Sequence, residues 1–239
     1  MRIDILTLFP GIFQGFLDES ILRLARENGI VEIHLWDIRD FTEDKHRKVD
    51  DRPYGGGPGM VIMPGPVFAA VEAADAAALP PARKLLLTPQ GRTFSQPVAR
   101  ELAEEPRLML ICGRYEGFDD RIHQGLGADE LSIGDYVLTG GEVAAMVVLD
   151  AVVRLLPGAL GHPESAALES FEGGVLDYPQ YTRPPVFRGM AVPDVLFSGN
   201  HERIRQWRAE RARQLTRDKR PDLAGAVRTG HSGTAQATP

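Results

Sequence analysis

The chain has 239 residues, 43% hydrophobic and 25% charged, a balance that excludes disordered and fibrous classes and fits one large or two smaller globular domains. The opening MRIDILTLFP has no cleavable apolar core and the longest apolar span, Val143 to Leu155, carries Asp150 and Arg154, so no membrane helix is predicted and the cytoplasm is the expected compartment. The formal net charge of −6 argues against a nucleic-acid partner only until its distribution is read, because His201 to Arg220 holds eight Lys/Arg against three acids.

In chain order, Arg2 to Leu8 and Ile30 to Trp36 read as short β-branched strands, and the apolar spacing from Pro10 to Asn28 predicts a helix closed by Gly29. The alternation continues with helix Pro66–Ala78, strand Lys84–Thr88, helix Gln96–Glu104, strand Leu108–Cys112, a short helix around Asp119–Gly125, strand Glu130–Ile133 and helix Glu142–Leu156. This order predicts an α/β fold with a parallel sheet covered on both faces. The single cysteine, Cys112, can form no internal disulfide or zinc cluster and is expected to pack. Pro157 to Val186 has no sustained period and reads as an interdomain linker, a basic helix is predicted from His201 to Leu215 with Ile204, Trp207 and Leu215 as anchors, and the small polar tail beyond Leu223 is expected to be disordered.

Ligands of open α/β sheets bind beyond the carboxyl ends of the strands, and three such ends here run into glycine-rich turns: Thr88 to Arg92, Gly113 to Arg121 and Gly134 to Glu142. Any one is most simply a tight turn, but three together predict a small-molecule pocket. No G-x-x-x-x-G-K-[ST] and no G-x-G-x-x-G after the first strand occurs, which excludes P-loop and ordinary Rossmann cradles, and the scattered histidines argue against a transition-metal site. A further loop, HRKVDDRPYGGGPGM from His46 to Met60, offers cations for phosphates, Tyr54 for stacking, and carboxylates for the N1 and N2 donors of guanine.

Taken together, LFPGIF, DFTEDKHRKVDDRPYGGGPGM, LTPQGR, ICGRYEGFDDR, SIGDYVLTGGE, PGALGH, YTRPPVFRGM and VLFSGNH make the chain, from residue 1 to about Leu223, resemble the bacterial tRNA (guanine-N1)-methyltransferases of the SPOUT superfamily. The resemblance implies methyl transfer from S-adenosylmethionine to N1 of guanosine 37, next to the anticodon, in tRNAs with guanosine at position 36. It also implies a homodimer with sites at the subunit interface, a requirement for Mg²⁺, and a donor held in a deep trefoil knot at about residues 84–145. The chain would then divide into a SPOUT domain over 1–160, a flexible lid over 161–176, a helical tRNA-binding domain over 177–223 and a tail over 224–239.

Carried over onto this sequence, the resemblance assigns the donor to Thr88, Pro89, Gly91, Gly113, Tyr115, Glu116, Ile133, Gly134, Tyr136, Leu138, Gly140 and Gly141. Glu116 could meet the donor ammonium or the substrate guanine. For the RNA it points to His46, Asp50, Arg52, Tyr54, Gly55, Gly59, Met60, Asp177, Ser198, Asn200 and His201. Arg154 matches the catalytic arginine, which would stabilise charge developing on guanine O6. The base position usually holds Asp in this family and holds Glu169 here; Asp177 is the reserve base, and Glu116 and Glu169 are the candidate Mg²⁺ ligands. Two alternatives remain at this level: a non-catalytic RNA binder, which would not need the pocket loops and Arg154, and a knotted relative acting on another RNA.

Overall fold

The computed structural model describes residues 1–161 and 169–226, so part of the predicted linker and most of the predicted tail lie outside the described residues. The chain divides into two compact units, Met1–Pro163 and Glu164–Pro239.

The first unit opens with strand β1 (Arg2–Thr7). The single helix predicted from Pro10 to Asn28 is instead broken into a 3₁₀ turn at Pro10–Phe13, α1 (Gln14–Leu17) and α2 (Ser20–Glu27). The break is sealed by Arg26, which donates from Nη1 to the Leu17 carbonyl and to Asp18 Oδ1, both at 2.8 Å. Such a side-chain donor satisfies a carbonyl that the next helical turn would otherwise have taken. Strand β2 (Glu32–Asp37) follows, starting two residues later than the apolar run suggests, then the short β3 (Asp50–Asp51) and β4 (Val61–Ile62), which pair antiparallel. The remaining elements are α3 (Pro64–Ala76), β5 (Arg83–Thr93), α4 (Gln96–Ala103), β6 (Arg107–Cys112), α5 (Asp120–Gly125), β7 (Asp129–Ser132) and α6 (Gly141–Val153). Helix α6 therefore stops three residues short of the predicted Leu156.

The predicted α/β fold with a parallel sheet is what forms: five strands in the order β2-β1-β6-β5-β7, all pairs parallel. Central β6 is buried at all six positions, as a strand covered on both faces must be. Its alternate residues serve two cores. Leu108, Leu110 and Cys112 join Leu85, Leu87 and the α2, α4 and α6 residues on one face, while Met109 and Ile111 join Leu86, Val67, Val71 and Ile122 from α3 and α5 on the other. Cys112 packs as expected, and burial pushes its thiol well above the ordinary value, with the neighbouring Glu142 carboxylate adding to the shift.

At the opposite end of the strands, Asp4 is fully buried and accepts from Arg107 Nε at 2.9 Å, Arg2 Nη2 at 2.9 Å and Trp36 Nε1 at 2.9 Å. Arg107, equally buried, completes its donors on the carbonyls of Ala74, Ala78 and Pro80. The network lets a charge pair sit inside the sheet because every polar group in it has a partner.

Strand β5 departs most from expectation. The sequence predicts its end at Thr88, yet it resumes after a four-residue excursion: Leu87 and Arg92 both pair with Leu131 of β7, so Thr88 to Gly91 loop out between them. Gly91 passes so close to the β7 backbone that a Cβ there would lie 2.6 Å from the Glu130 carbonyl oxygen and nearer still to Leu131 N. Glycine is needed here because the excursion rejoins the sheet with its main chain directly against that of β7.

The second unit holds a 3₁₀ turn at Glu172–Gly174, a two-stranded hairpin of β8 (Val186–Phe187) and β9 (Met190–Ala191), α7 (His201–Lys219) and α8 (Pro221–Ala226). The basic helix runs four residues past Leu215. Its deeply buried residues are Ala212 and Thr216, while the predicted anchors Ile204, Trp207 and Leu215 are half-buried. Short side chains bury completely where the helix is closest to its neighbours, and Thr216 also receives the Leu176 N–H at 2.9 Å. Helix α8 runs into the stretch beyond Leu223 that the composition suggested was disordered.

Candidate active site

The excursion of β5, the turn after β6 and the turn after β7 meet around a cavity of about 370 Å³ at the carboxyl ends of these strands. Eleven of the twelve residues assigned to the donor line it. Thr88 and Pro89 come from the first loop, Gly113, Tyr115 and Glu116 from the second, and Ile133, Gly134, Tyr136, Leu138, Gly140 and Gly141 from the third. The twelfth, Gly91, does not line the cavity; it closes the excursion from which Thr88 and Pro89 do so.

The walls are held by backbone. Gly141 N–H donates to the Gly113 carbonyl at 2.8 Å, tying the start of α6 to the end of β6. Tyr136 N–H donates to the Gly134 carbonyl at 3.0 Å and its hydroxyl to the Ile133 carbonyl at 3.1 Å, closing the third loop on itself. Tyr115 adopts φ 59°, a left-handed conformation that costs a non-glycine residue energy and occurs where loops are tightly determined.

Residues that the sequence assigned to donor and to RNA meet at one point. Glu116 N–H donates to the Met60 carbonyl at 3.0 Å, Ile62 N–H to the Gly117 carbonyl at 3.0 Å, and the Glu116 side chain lies against Gly59. The second loop is thus stitched to the end of the Gly-rich segment. Asp50 lies in β3, and the intervening Arg52, Tyr54 and Gly55 form an exposed arch on which Tyr54 is fully solvent-accessible. His46 is exposed too, and its N–H donates to Asp44 Oδ1 at 2.8 Å. Asp51 is held below the ordinary carboxylate range by the Arg52 N–H and by Lys48 at 3.0 Å.

Arg154 caps the carboxyl end of α6, its N–H donating to the Asp150 carbonyl at 3.4 Å. In the second unit, Glu169, Asp177 and His201 line one cavity of about 440 Å³ together with Arg205 and Arg208. Asp177 is oriented by its own surroundings: Oδ1 accepts the Tyr178 N–H at 2.7 Å and Oδ2 the Gln180 amide at 3.1 Å. Asn200 caps α7 through Oδ1, which accepts the Arg203 N–H at 3.0 Å, and Ser198 turns the chain into that cap by donating to the Val195 carbonyl at 2.7 Å. His201 is the first residue of the helix.

Sequence reasoning missed several lining residues. Arg114 and Phe118 stand inside the motif GRYEGFDDR, which does not by itself mark them as cavity residues, and His123 has no motif to signal it. The structure sets His123 in the wall with Nδ1 2.6 Å from Glu130 Oε1 and its ring edge-on to Phe118 at 6.1 Å. Among the described residues no three His, Cys, Asp or Glu side chains converge in the manner of a metal cage.

A doubly covered parallel sheet with a glycine-walled cavity at its strand ends, facing a Gly-rich loop, defines an α/β enzyme that seats a small molecule beside a larger substrate. Comparison with known proteins narrows the class: the family model described as tRNA (Guanine-1)-methyltransferase TrmD matches residues 1–226, and the chain belongs to that family. It is 59% identical over 223 residues to the tRNA (guanine-N(1)-)-methyltransferase of Geobacillus kaustophilus, covering 93% of this chain and 91% of the relative. It is 56% identical over 230 residues to the protein of that name from Moorella thermoacetica, covering 95% and 91%. Against that from Dehalococcoides mccartyi strain CBDB1 it is 55% identical over 223 residues, covering 93% and 90%.

Proposed function

We propose that this chain transfers a methyl group from S-adenosylmethionine to N1 of guanosine at tRNA position 37, in tRNAs with guanosine at position 36. The observation that carries this reading is the convergence of eleven family-assigned donor residues on one cavity in a chain of this family. The cavity suits the donor: its volume falls within the range of small-molecule sites, Ile133 and Leu138 offer apolar cover to a purine, and Arg114 and Glu116 offer one charge of each sign to an amino-acid end.

The donor supplies an electrophilic methyl group on sulfur; the rest falls to the protein. Guanine N1 carries a proton that leaves as the N1–methyl bond forms, and negative charge develops toward O6. Glu169 takes the proton and Arg154 faces the O6 charge, each contributing on the order of 10²-fold or more. Glu169 carries one methylene more than the usual Asp, which its carboxylate accommodates if the linker backbone sits farther back. The family's flexible lid would correspond to 161–176, of which 162–168 lie outside the described residues.

The RNA is gripped by α7, where Arg203, Arg205, Arg208, Arg211, Arg213 and Arg217 are all exposed, and by Tyr54 and the arch around it. Phosphate contacts of this kind make affinity fall steeply with salt. A deep trefoil knot over about residues 84–145 is proposed from membership of the family alone, and the second unit is read as the helical tRNA-binding domain. A homodimer with shared sites is proposed from membership of the family, and exposed apolar Phe9, Ile12, Val143 and Val147 are residues such an interface would cover. For Mg²⁺, Glu116 and Glu169 remain the proposed ligands; among the described residues neither belongs to a group of three or more His, Cys, Asp or Glu that could hold an ion, so the ion would keep most of its waters. A cytoplasmic enzyme fits this substrate, and among the described residues no helix is long and apolar enough to cross a membrane.

The test is transfer of labelled methyl from S-adenosylmethionine to unmodified tRNA carrying guanosine at 36 and 37, beside variants with adenosine at either position. Label in the first RNA alone supports the reading; equal label in the adenosine-37 RNA refutes it.

A further inference from the structure

Glu142, in the first turn of α6, is a carboxylate with no exposed surface. An unpaired charge there would be strongly destabilising, and two donors from distant parts of the chain meet it. The Thr7 hydroxyl donates to Oε1 at 2.8 Å and Arg114 Nε donates to Oε2 at 2.9 Å. Arg114 is fixed further by donating from Nη1 to the Thr139 carbonyl at 3.2 Å and by lying over the Phe9 ring, 4.6 Å from its centroid. A Cβ at residue 140 would lie 2.5 Å from Arg114 Cδ and 2.6 Å from Glu142 Oε2, so Gly140 leaves the space in which this pair sits.

These contacts define the position and the plane of the guanidinium while engaging only Nε and one Nη1 hydrogen. Among the described residues Nη2 has no protein partner, and Arg114 is the only Arg or Lys lining the donor cavity, just as Glu116 is its only Asp or Glu. S-adenosylmethionine carries a carboxylate and an ammonium on one carbon. A preorganised guanidinium edge is the group that recognises a carboxylate best, because its planar fork matches two oxygens at once and loses little freedom on binding.

We propose that Arg114 binds the carboxylate of the donor's amino-acid end, and that buried Glu142, acting through Arg114, is a positioning residue for the donor. This rests on the reading of the cavity as the S-adenosylmethionine site.

The experiment is calorimetric titration of the full chain with three ligands: S-adenosylmethionine, its decarboxylated analogue, and 5′-methylthioadenosine, which lacks the amino-acid end. Because removing Arg114 alone strands the Glu142 charge, the informative protein is the double variant Arg114→Met with Glu142→Gln, with Arg114→Lys alongside. The double variant is expected to lose about ten- to a hundredfold in affinity for S-adenosylmethionine, with affinity for the other two ligands unchanged and partial recovery in Arg114→Lys. Equal losses for all three ligands would make the pair a structural wall and overturn the proposal. So would unchanged donor affinities with weakened tRNA binding, which would assign Arg114 to a phosphate. Wild-type protein that binds all three ligands alike sinks the carboxylate contact while leaving the donor site standing; wild-type protein that binds none sinks both.

Discussion

Replacing Gly91 by alanine adds one carbon at the place where the excursion of β5 rejoins β7. That carbon would lie 2.6 Å from the Glu130 carbonyl oxygen and closer still to Leu131 N, about 1 Å or more inside the roughly 3.5 Å of ordinary non-bonded contact. Neither obstacle is a flexible side chain; both are main chain of β7, whose Leu131 pairs with Leu87 on one side of the excursion and Arg92 on the other. Relief therefore requires the two strands to separate, and overpacking of this kind costs typically 1–3 kcal/mol, with this site expected near about 3 kcal/mol. For a unit of this size that is a fall in Tm of roughly 6–12 °C. Thermal unfolding without donor, followed by circular dichroism, measures it. Because Thr88 and Pro89 belong to the same excursion, calorimetry should also find weaker S-adenosylmethionine binding in the variant that remains folded. A Gly91→Ala protein with wild-type Tm and wild-type donor affinity would refute the close approach of the two main chains and its role in shaping the cavity.

At the other end of the sheet, burial pushes the Asp4 carboxyl up, but hydrogen bonds from Arg2, Trp36 and Arg107 outweigh it and hold the group below its ordinary value. Its stabilisation is fully present above the unfolded carboxyl value near about 4 and is lost as pH falls through the depressed folded value. Asp4→Asn should therefore flatten the acid limb of stability measured by urea titration and, by stranding buried Arg107, cost about 3–5 kcal/mol at pH 7. Single-turnover methylation by Glu169→Gln should fall by about 100-fold or more while Glu169→Asp retains activity; full activity in the Gln variant would pass the role of base to Asp177. Arg154→Ala should lower single-turnover rate by a similar factor with donor affinity unchanged, which quench-flow and calorimetry separate. Arg213→Gln together with Arg217→Gln should reduce the slope of log tRNA affinity against log salt by about 1–2 in filter binding, and an unchanged slope would exclude these arginines from phosphate contact.

The layered architecture was legible because its signals are local. The six-residue run RLMLIC can be buried on both faces only in a covered parallel sheet, and glycines after three strands mark the ligand end. The carry-over of motifs reached most of the cavity wall. What remained hidden depends on pairing across long stretches of chain. The periodicity from Pro10 to Asn28 gives no sign that Arg26 will fold back on Leu17, and the TPQGR turn gives none that Arg92 will rejoin the strand it left. The Thr7–Glu142 hydrogen bond joins residues 135 apart, so Glu142 reads in the sequence as an ordinary first-turn acid of a helix. The excess of arginine on α7 was plain, yet which residues would be buried was not, because Ala212 and Thr216 are set by packing against neighbours rather than by apolar character.

The most direct test of the central claim is mass-spectrometric mapping of the nucleoside that the full chain methylates in a tRNA with guanosine at 36 and 37, supplied with S-adenosylmethionine and Mg²⁺. The predicted product is N1-methylguanosine at position 37 and nowhere else. A methyl group on another atom of guanine, on ribose, or at another position of the RNA would contradict the reading.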